Sequence, residues 1–358
     1  MRDGMKTLVI GAGPTGLTAA LALVAKGVCC RIVERRTEPS KLSRAVGIMP
    51  VTIDLLAPLG AAEPILAEAM PLRQILLTRA GKPLMQLDNR VSEYKNRVIL
   101  GLPQNRTEEI LQDVLAQSGV HVEYGLTVNN VATNPEQVTA GFSDGSSETY
   151  DWAIAADGIK SRTREHLGIE YTGHDLPDTW SIADIDVAGE FNPELVMLDV
   201  QAPKGVFTMI LPIERRRARI VSSTPDALAA LVHPLEIKNV RRTATFEISI
   251  RQAEFYRKDR VLLAGDAAHC HSPLGGKGMN LGMADAVAAA QAITSGGVEG
   301  YSKDRHRIGV GILTKTEVAR RVVTSDSLLA KMALTIATTA VSTLPIARRA
   351  FMKTLTEL

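Results

Sequence analysis

The stretch from Lys6 to Glu34 constrains this chain more than any other. "KTLVI" reads as a short buried strand. "TGLTAALALVAKG" carries helical spacing and closes at Gly27, and "CCRIVERR" is a β-branched strand that brings in the carboxylate Glu34. Between the first strand and the helix lies "GAGPTG", Gly11 to Gly16, which fits the G-x-G-x-x-G pattern. Gly11 permits the tight turn, Gly13 lets backbone approach a pyrophosphate, and Gly16 lets the helix pack on the strand. Pro14 and Thr15 open that helix, whose first N–H groups and positive dipole end would face the pyrophosphate. Glu34, with Arg35 beside it, stands where a carboxylate accepts bonds from both ribose hydroxyls of an adenosine. The same acid disfavours a 2′-phosphate at that position. The unit predicts an α/β fold with a Rossmann-like domain that holds either NAD or the ADP half of FAD.

Composition closes other routes. Of 358 residues, 45% are hydrophobic and 22% charged, which suits two domains or one large elaborated domain. Aromatics are only 4% and the formal net charge is +2, so neither a base-stacking surface nor a nucleic-acid stripe is expected. The Arg35-Arg36, Arg215 to Arg217 and Arg241-Arg242 clusters read as solvated loops and helix ends. Three cysteines (Cys29, Cys30, Cys270) show no disulfide or metal spacing, so a reduced, cytoplasmic protein without metal is expected. The apolar N-terminal run is broken by Gly11, Gly13, Pro14 and Gly16 and is not read as a targeting signal. The tail "LLAKMALTIATTAVSTLPIARR" has the composition of a membrane-surface segment, but Lys331 and Pro345 interrupt it. Packing over a substrate channel is the favoured reading of the tail, with no stable membrane insertion.

Along the chain, residues 1–70 and 102–170 read as two parts of a cofactor domain. Residues 71–101 form a hairpin about Ala80-Gly81-Lys82 that belongs to a substrate domain. "VHVEYGLTVNNVATN" and "QVTAGFSDGSSETY" read as two strands with a turn at Asp144-Gly145, and "DWAIAADGIKSRTREHLG" as a strand breaking at Asp157-Gly158. The substrate domain continues over 171–254, mostly strands with one or two helices. Residues 255–300 return to the cofactor domain, and 301–358 are helical.

A second constellation lies at Ala264 to Ala286, "AGDAAHCHSPLGGKGMNLGMADA". Gly265-Asp266 after an apolar strand puts an acceptor where a long cofactor's polyol could bond. The bare loop Pro273 to Asn280 presents consecutive N–H groups at a helix N-terminus. Such a nest would stabilise negative charge on a flat ring, as on a reduced flavin. Gly275, Gly276, Lys277 and Gly278 are therefore expected beside the reacting ring, and Met279 and Asn280 close the loop. His269 and His271 have no Ser or Cys partner in sequence and read as structural histidines near the cofactor.

With these motifs in place the chain resembles the FAD-dependent aromatic hydroxylases of the p-hydroxybenzoate hydroxylase type. "GAGPTG" looks like the family's ADP-binding loop. "AADGIKSRTR", with Asp157 and Gly158, looks like its DG motif, and "GDAAHCHSPLGGKGMN" like its GD motif, whose Asp (here Asp266) binds the ribityl chain. "SRAVGI" and "LPQNRTEEIL" resemble the stretches whose Arg44 and Gln104 contact the flavin. Lys277 departs from the Gln, Arg or aromatic of relatives, and the residue is expected to face solvent. The thioredoxin-like C-terminal domain of some larger relatives is not expected in this chain, whose sequence runs to Leu358.

The resemblance implies an FAD-dependent monooxygenase with NAD(P)H and O₂ as co-substrates, working through a flavin C4a-hydroperoxide as a monomer or homodimer. Its partner would be a hydrophobic, aromatic or polycyclic small molecule. The rival readings are a reductase or oxidase of the same fold without oxygen insertion, and a non-catalytic flavin or ligand binder. No catalytic base is apparent.

Overall fold

The computed structural model describes residues 4–41, 43, 45–89, 97–201, 205–325 and 327–358. Lys6–Ile10 (β1), Pro14–Val24 (α1) and Cys29–Glu34 (β2) make the opening strand–helix–strand unit. Gly47–Ile48 (β3), Pro50–Leu56 (α2), Ala62–Glu68 (α3) and Met70–Leu72 (β4) precede the hairpin of Gln74–Arg79 (β5) and Lys82–Asp88 (β6). Ile99–Gly101 (β7) leads into Gln104–Gln117 (α4). Then come Val122–Tyr124 (β8), Val128–Thr133 (β9), Val138–Phe142 (β10), Ser147–Tyr150 (β11), Trp152–Ala155 (β12) and Arg162–His166 (α5). The next strands are Tyr171–Asp175 (β13), Trp180–Val187 (β14), Leu195–Gln201 (β15), Val206–Glu214 (β16), Arg217–Ser222 (β17), Ile237–Phe246 (β18) and Ser249–Ala253 (β19). Arg257–Lys258 (β20), Val261–Leu263 (β21) and His269–Cys270 (β22) lead to four helices: Gly278–Ser295 (α6), Val298–Thr324 (α7), Leu328–Thr343 (α8) and Pro345–Thr356 (α9).

Strands β20, β21, β12, β1, β2 and β8 lie in that order in one sheet, parallel except for the edge pair β20–β21. β12 and β21 are buried at every position, as strands covered on both faces must be. Helices α1 and α6 pack together over this sheet, with small residues at the contact. A Cβ on Gly282 of α6 would lie 2.4 Å from Thr15 Oγ1. Cys29 is exposed and Cys30 buried, as alternation in a strand requires, and none of the three cysteines is in a disulfide.

The second sheet has the order β18, β14, β17, β16, β15, β5, β6 and is antiparallel except between β15 and β5. The hairpin at 74–88 thus joins strands drawn from 180–246. Its turn is Ala80-Gly81, both at positive φ (48° and 80°), the geometry that suits the right-handed twist of the flanking strands. Alternation sorts this sheet into two faces. Trp180, Ile182, Phe207 and Val221 point to one, while Ala183, Ile185, Ile210 and Ile220 point to the other. The first face also receives Val341 of α8 and Met352 of α9.

Two expectations are corrected. The stretch read as two strands between Val120 and Tyr150 is four, because the turn at Asp144-Gly145 divides a hairpin, β10–β11, and Gly125 separates β8 from β9. No helix occurs among the described residues of 171–255. Asp226 instead caps a run of turns, its Oδ1 accepting from the N–H groups of Leu228 and Ala229.

Candidate active site

The loop Gly11–Gly16 folds against two other segments. A Cβ on Gly11 would sit 2.5 Å from Ala156 O, and one on Gly16 would sit 1.8 Å from Gly11 O, so neither position admits a side chain. A Cβ on Gly13 would meet nothing within 4 Å, which leaves that backbone face open. Gly13 provides no side-chain cap to α1, and Pro14 stands in its first turn. The N–H groups of Thr15 and Gly16 are therefore free of intrahelical partners. The Thr15 side chain turns away from the loop and wedges between Gly265 and Gly282.

Glu34 is buried and oriented. Its Oε2 accepts from Ala12 N at 2.9 Å and its Oε1 from Arg36 N at 2.9 Å, while Arg36 Nη2 lies 3.2 Å from Oε2. Burial alone would raise this carboxyl, but those bonds outweigh it and hold Glu34 below the usual range, so it is an anion. The partner is Arg36, whereas Arg35 is exposed. Glu108 of α4 lies near the same pair; its Oε2 is 3.9 Å from Arg36 Nη1 and is buried without a hydrogen bond. Burial raises its carboxyl.

The DG turn follows β12. Asp157 Oδ2 accepts from Thr163 N at 3.1 Å, its Oδ1 is buried without a partner, and Gly158 takes φ +83° over open space. Arg164 ties this turn to the GD segment. Its Nη2 donates to Ile159 O and its Nη1 to Ala267 O, both at 3.0 Å. Asp266 is exposed at the surface of that segment, and Tyr171 donates to its carbonyl.

Asp285, one helical turn beyond the bare loop, holds the GD segment in place. It is fully buried and accepts from Gly265 N at 3.1 Å, His269 Nε2 at 2.5 Å and Arg305 Nε at 2.6 Å. Sequence reasoning missed it because its partners are twenty residues away on either side. An acid inside an alanine-rich, apolar helix was the available signal. His269 is therefore a fastener.

Asn280 fastens the loop Pro273–Asn280. It is fully buried, its Oδ1 accepts from Met49 N and Thr52 Oγ1 at 2.8 Å, and its Nδ2 donates to Gly47 O and Gly276 O at 2.9 Å. Gly276 N closes a turn onto Pro273 O, and Gly275 and Gly276 are exposed at positive φ. Gly278 and the partly buried Met279 open α6, where no side chain caps the first N–H groups. Lys277 does not face solvent as expected. It is buried and donates from Nζ to the carbonyl of Glu357, and burial pulls it down to about 8.

His271 lies behind the loop. Its Nδ1 bonds Ser272 O at 2.8 Å, its Nε2 is buried and unpartnered, and burial pushes it down to about 4. Between the ordinary value of 6.5 and about 4, the unfolded chain binds a proton that the folded chain refuses, so stability falls as pH drops through that window. His271→Gln is expected to flatten the melting temperature against pH over this range; an unchanged slope would sink that assignment.

The second sheet reaches this site through a buried ion pair. Arg219 Nε and Nη2 bond Asp184 Oδ1 and Oδ2 at 2.6 and 2.8 Å, and Arg219 Nη1 donates to Ser43 Oγ at 3.1 Å. Ser43 Oγ in turn accepts from Gln104 N at 3.0 Å, and Gln104 Oε1 accepts from Ala45 N at 3.1 Å. Arg44 lies outside the described residues. Alternation in "WSIADID" already placed Asp184 with Trp180 and Ile182 on a buried face, which was the overlooked sign. Leu274 of the bare loop packs into the same apolar cluster as Trp180, Phe207 and Val221.

A family model described as "FAD binding domain" matches residues 4–309. The chain belongs to the FAD-binding family of p-hydroxybenzoate hydroxylase type. Within that family it is 30% identical to 6-methylpretetramide 4-monooxygenase of Streptomyces rimosus over 93% of this chain, and it spans 64% of that relative's length. Its structure superposes on the OxyS anhydrotetracycline hydroxylase of S. rimosus with a TM-score of 0.80 at 28% identity, covering 98% of this chain and 76% of the other. It shares the fold of p-nitrophenol 4-monooxygenase PnpA from Pseudomonas putida DLL-E4, with a TM-score of 0.84 at 21% identity over 99% of both chains.

The residues present fit FAD, the family's cofactor. Open backbone at Gly13, Gly158 and Gly276 and the buried oxygens of Asp157 and Glu108 that carry no hydrogen bond are what a polar dinucleotide would use. Among the described residues no three His, Cys, Asp or Glu side chains are grouped to hold a metal ion.

Proposed function

We propose that the protein is an FAD-dependent monooxygenase that consumes NAD(P)H and O₂ and oxygenates a hydrophobic, aromatic or polycyclic small molecule. The observation that carries this reading is the placement of Leu274, which brings the cofactor loop against the apolar face of the second sheet. The Streptomyces relatives named above, acting on 6-methylpretetramide and anhydrotetracycline, support a polycyclic substrate.

The cradle residues would be Gly11, Gly13 and Gly16 with the α1 N-terminus for the pyrophosphate, Glu34 for the adenosine ribose, and Asp157 and Asp266 for the polyol. Bound FAD supplies hydride acceptance from NAD(P)H and activation of O₂. The chain's own part is to bind, orient and exclude water. The N–H groups of Gly278 and Met279, at the positive end of α6, favour negative charge on the ring edge, and Lys277 sits beneath them. The face carrying Trp180, Ile182 and Phe207 keeps the substrate side dry. The lack of disulfides among Cys29, Cys30 and Cys270 supports a reducing cytoplasm as its place.

The test is turnover of the purified holoprotein under ¹⁸O₂ with NADH or NADPH and a panel of phenolic and polycyclic ligands. Ligand-stimulated NAD(P)H oxidation with one ¹⁸O in the product is expected. Stoichiometric hydrogen peroxide with every ligand would place the protein among oxidases of this fold. Retained flavin without any ligand-stimulated oxidation would make it a binder.

A further inference from the structure

We propose that the outer face of the α8–α9 pair docks the enzyme on an anionic lipid bilayer. The inner face of the pair is accounted for, since Val341 and Met352 lie buried against the second sheet. The outer face is not. Leu328, Leu329, Ile336 and Ile346 are 71, 77, 66 and 78% exposed, and Met332 and Leu344 are about half exposed. Leu328, Met332 and Ile336 recur every fourth residue and form one stripe along α8. A helix that is apolar on both sides belongs in a core or in lipid, and α8 is on the surface.

Two further observations select lipid. From Ser327 to Thr356 the chain holds Lys331, Arg348, Arg349 and Lys353 and no Asp or Glu. Cations flanking an apolar stripe complement anionic headgroups, and long basic side chains can keep their charge in water while their stems lie over lipid. The same charges disfavour a second copy of this face, where a two-fold axis would bring like charges together. Most hydroxyls of α8 are also satisfied within the helix. Thr335, Thr338, Ser342 and Thr343 each donate to the carbonyl four residues back, at 2.8–2.9 Å, so four of the five hydroxyls of α8 need no partner from the surrounding medium. Together α8 and α9 have the apolar length of a span but are bent by 107°, and among the described residues no single helix is long and apolar enough to cross a membrane. The pair therefore lies in the interface plane rather than crossing it.

The experiment is flotation of the holoenzyme with phosphatidylcholine vesicles, with and without phosphatidylglycerol, at low and high salt. Binding to the anionic vesicles, weakened by salt, is expected. The double variant Leu329→Glu, Ile346→Glu should lower partitioning by roughly tenfold or more, since each substitution removes an inserted apolar side chain. Its flavin spectrum should be that of the parent, because both positions are exposed. In a separate variant, Leu329→Trp, brominated lipid should quench the new emission, as Trp152 and Trp180 are buried. The proposal is overturned by absence of vesicle binding, by undiminished binding of the double variant, or by unquenched emission. It is likewise overturned by a dimer that the double substitution dissolves. None of these readouts depends on turnover, so the result stands apart from the monooxygenase reading.

Discussion

Asp285→Ala is expected to destabilise the protein by about 3–5 kcal/mol, the range for removing one partner of a buried ion pair. It should also release FAD. Three groups converge on this carboxylate: the backbone N–H of Gly265, the imidazole of His269 and the guanidinium of Arg305. Removal leaves a largely buried arginine without its counter-charge and frees the turn that carries Asp266. Asp285→Asn keeps the shape but aims a neutral amide at Arg305 and His269, so it should recover only a minor part of the loss. His269 and Arg305 hold the Asp285 carboxyl below its ordinary value against the opposing effect of burial. Its contribution is therefore fully present above the usual carboxylate range and is lost as pH falls through the depressed value. Urea unfolding at neutral pH checks the magnitude. A loss under about 1 kcal/mol would show that Asp285 does not hold the fold together at this point.

Asn280→Asp should be nearly as severe, about 3–6 kcal/mol, because two donors become acceptors in a fully buried setting. The new carboxylate would face the carbonyl oxygens of Gly47 and Gly276, to which the amide now donates. The loop Pro273–Asn280 would then part from the segment at residues 47–52. FAD affinity, followed by flavin fluorescence, should fall with stability. Acid should restore part of both, since a protonated carboxyl can donate to one of the two carbonyls. Asn280→Ala removes the same donors without adding charge, so its defect should show no such recovery at low pH. Equal pH dependence in the two variants would refute the account.

The cofactor half of the site was legible because its parts are local. Gly11 to Gly16, Glu34, Asp157-Gly158 and Gly265-Asp266 each sit at a strand end, and each is a pattern of a few adjacent residues. What escaped is what the tertiary fold brings together. Asp285 and Arg305 are far apart in sequence, Asp184 and Arg219 come from two neighbouring strands, and Lys277 is covered by a carbonyl from the last turn of the chain. Arg36 rather than Arg35 meets Glu34 because a side chain's direction just past a strand end depends on the turn and not on composition. The four strands read as two were lost for a simpler reason. Strands of three to six residues leave little alternation to count, so a turn can be seen without the strands beside it being told apart.

The order of the parallel sheet has a consequence for synthesis. β1 emerges from the ribosome well before its neighbour on one side, so that edge stays unpaired until Trp152–Ala155 has been made, and β12 in turn waits for Val261–Leu263. Asp285 and Asn280, which lock the cofactor loop, come later still, on α6. An amino-terminal half of this protein would thus expose open strand edges and an incomplete nucleotide cradle. The nascent chain depends on protection from aggregation until β21 has been made, and the flavin can be loaded only once α6 has followed it.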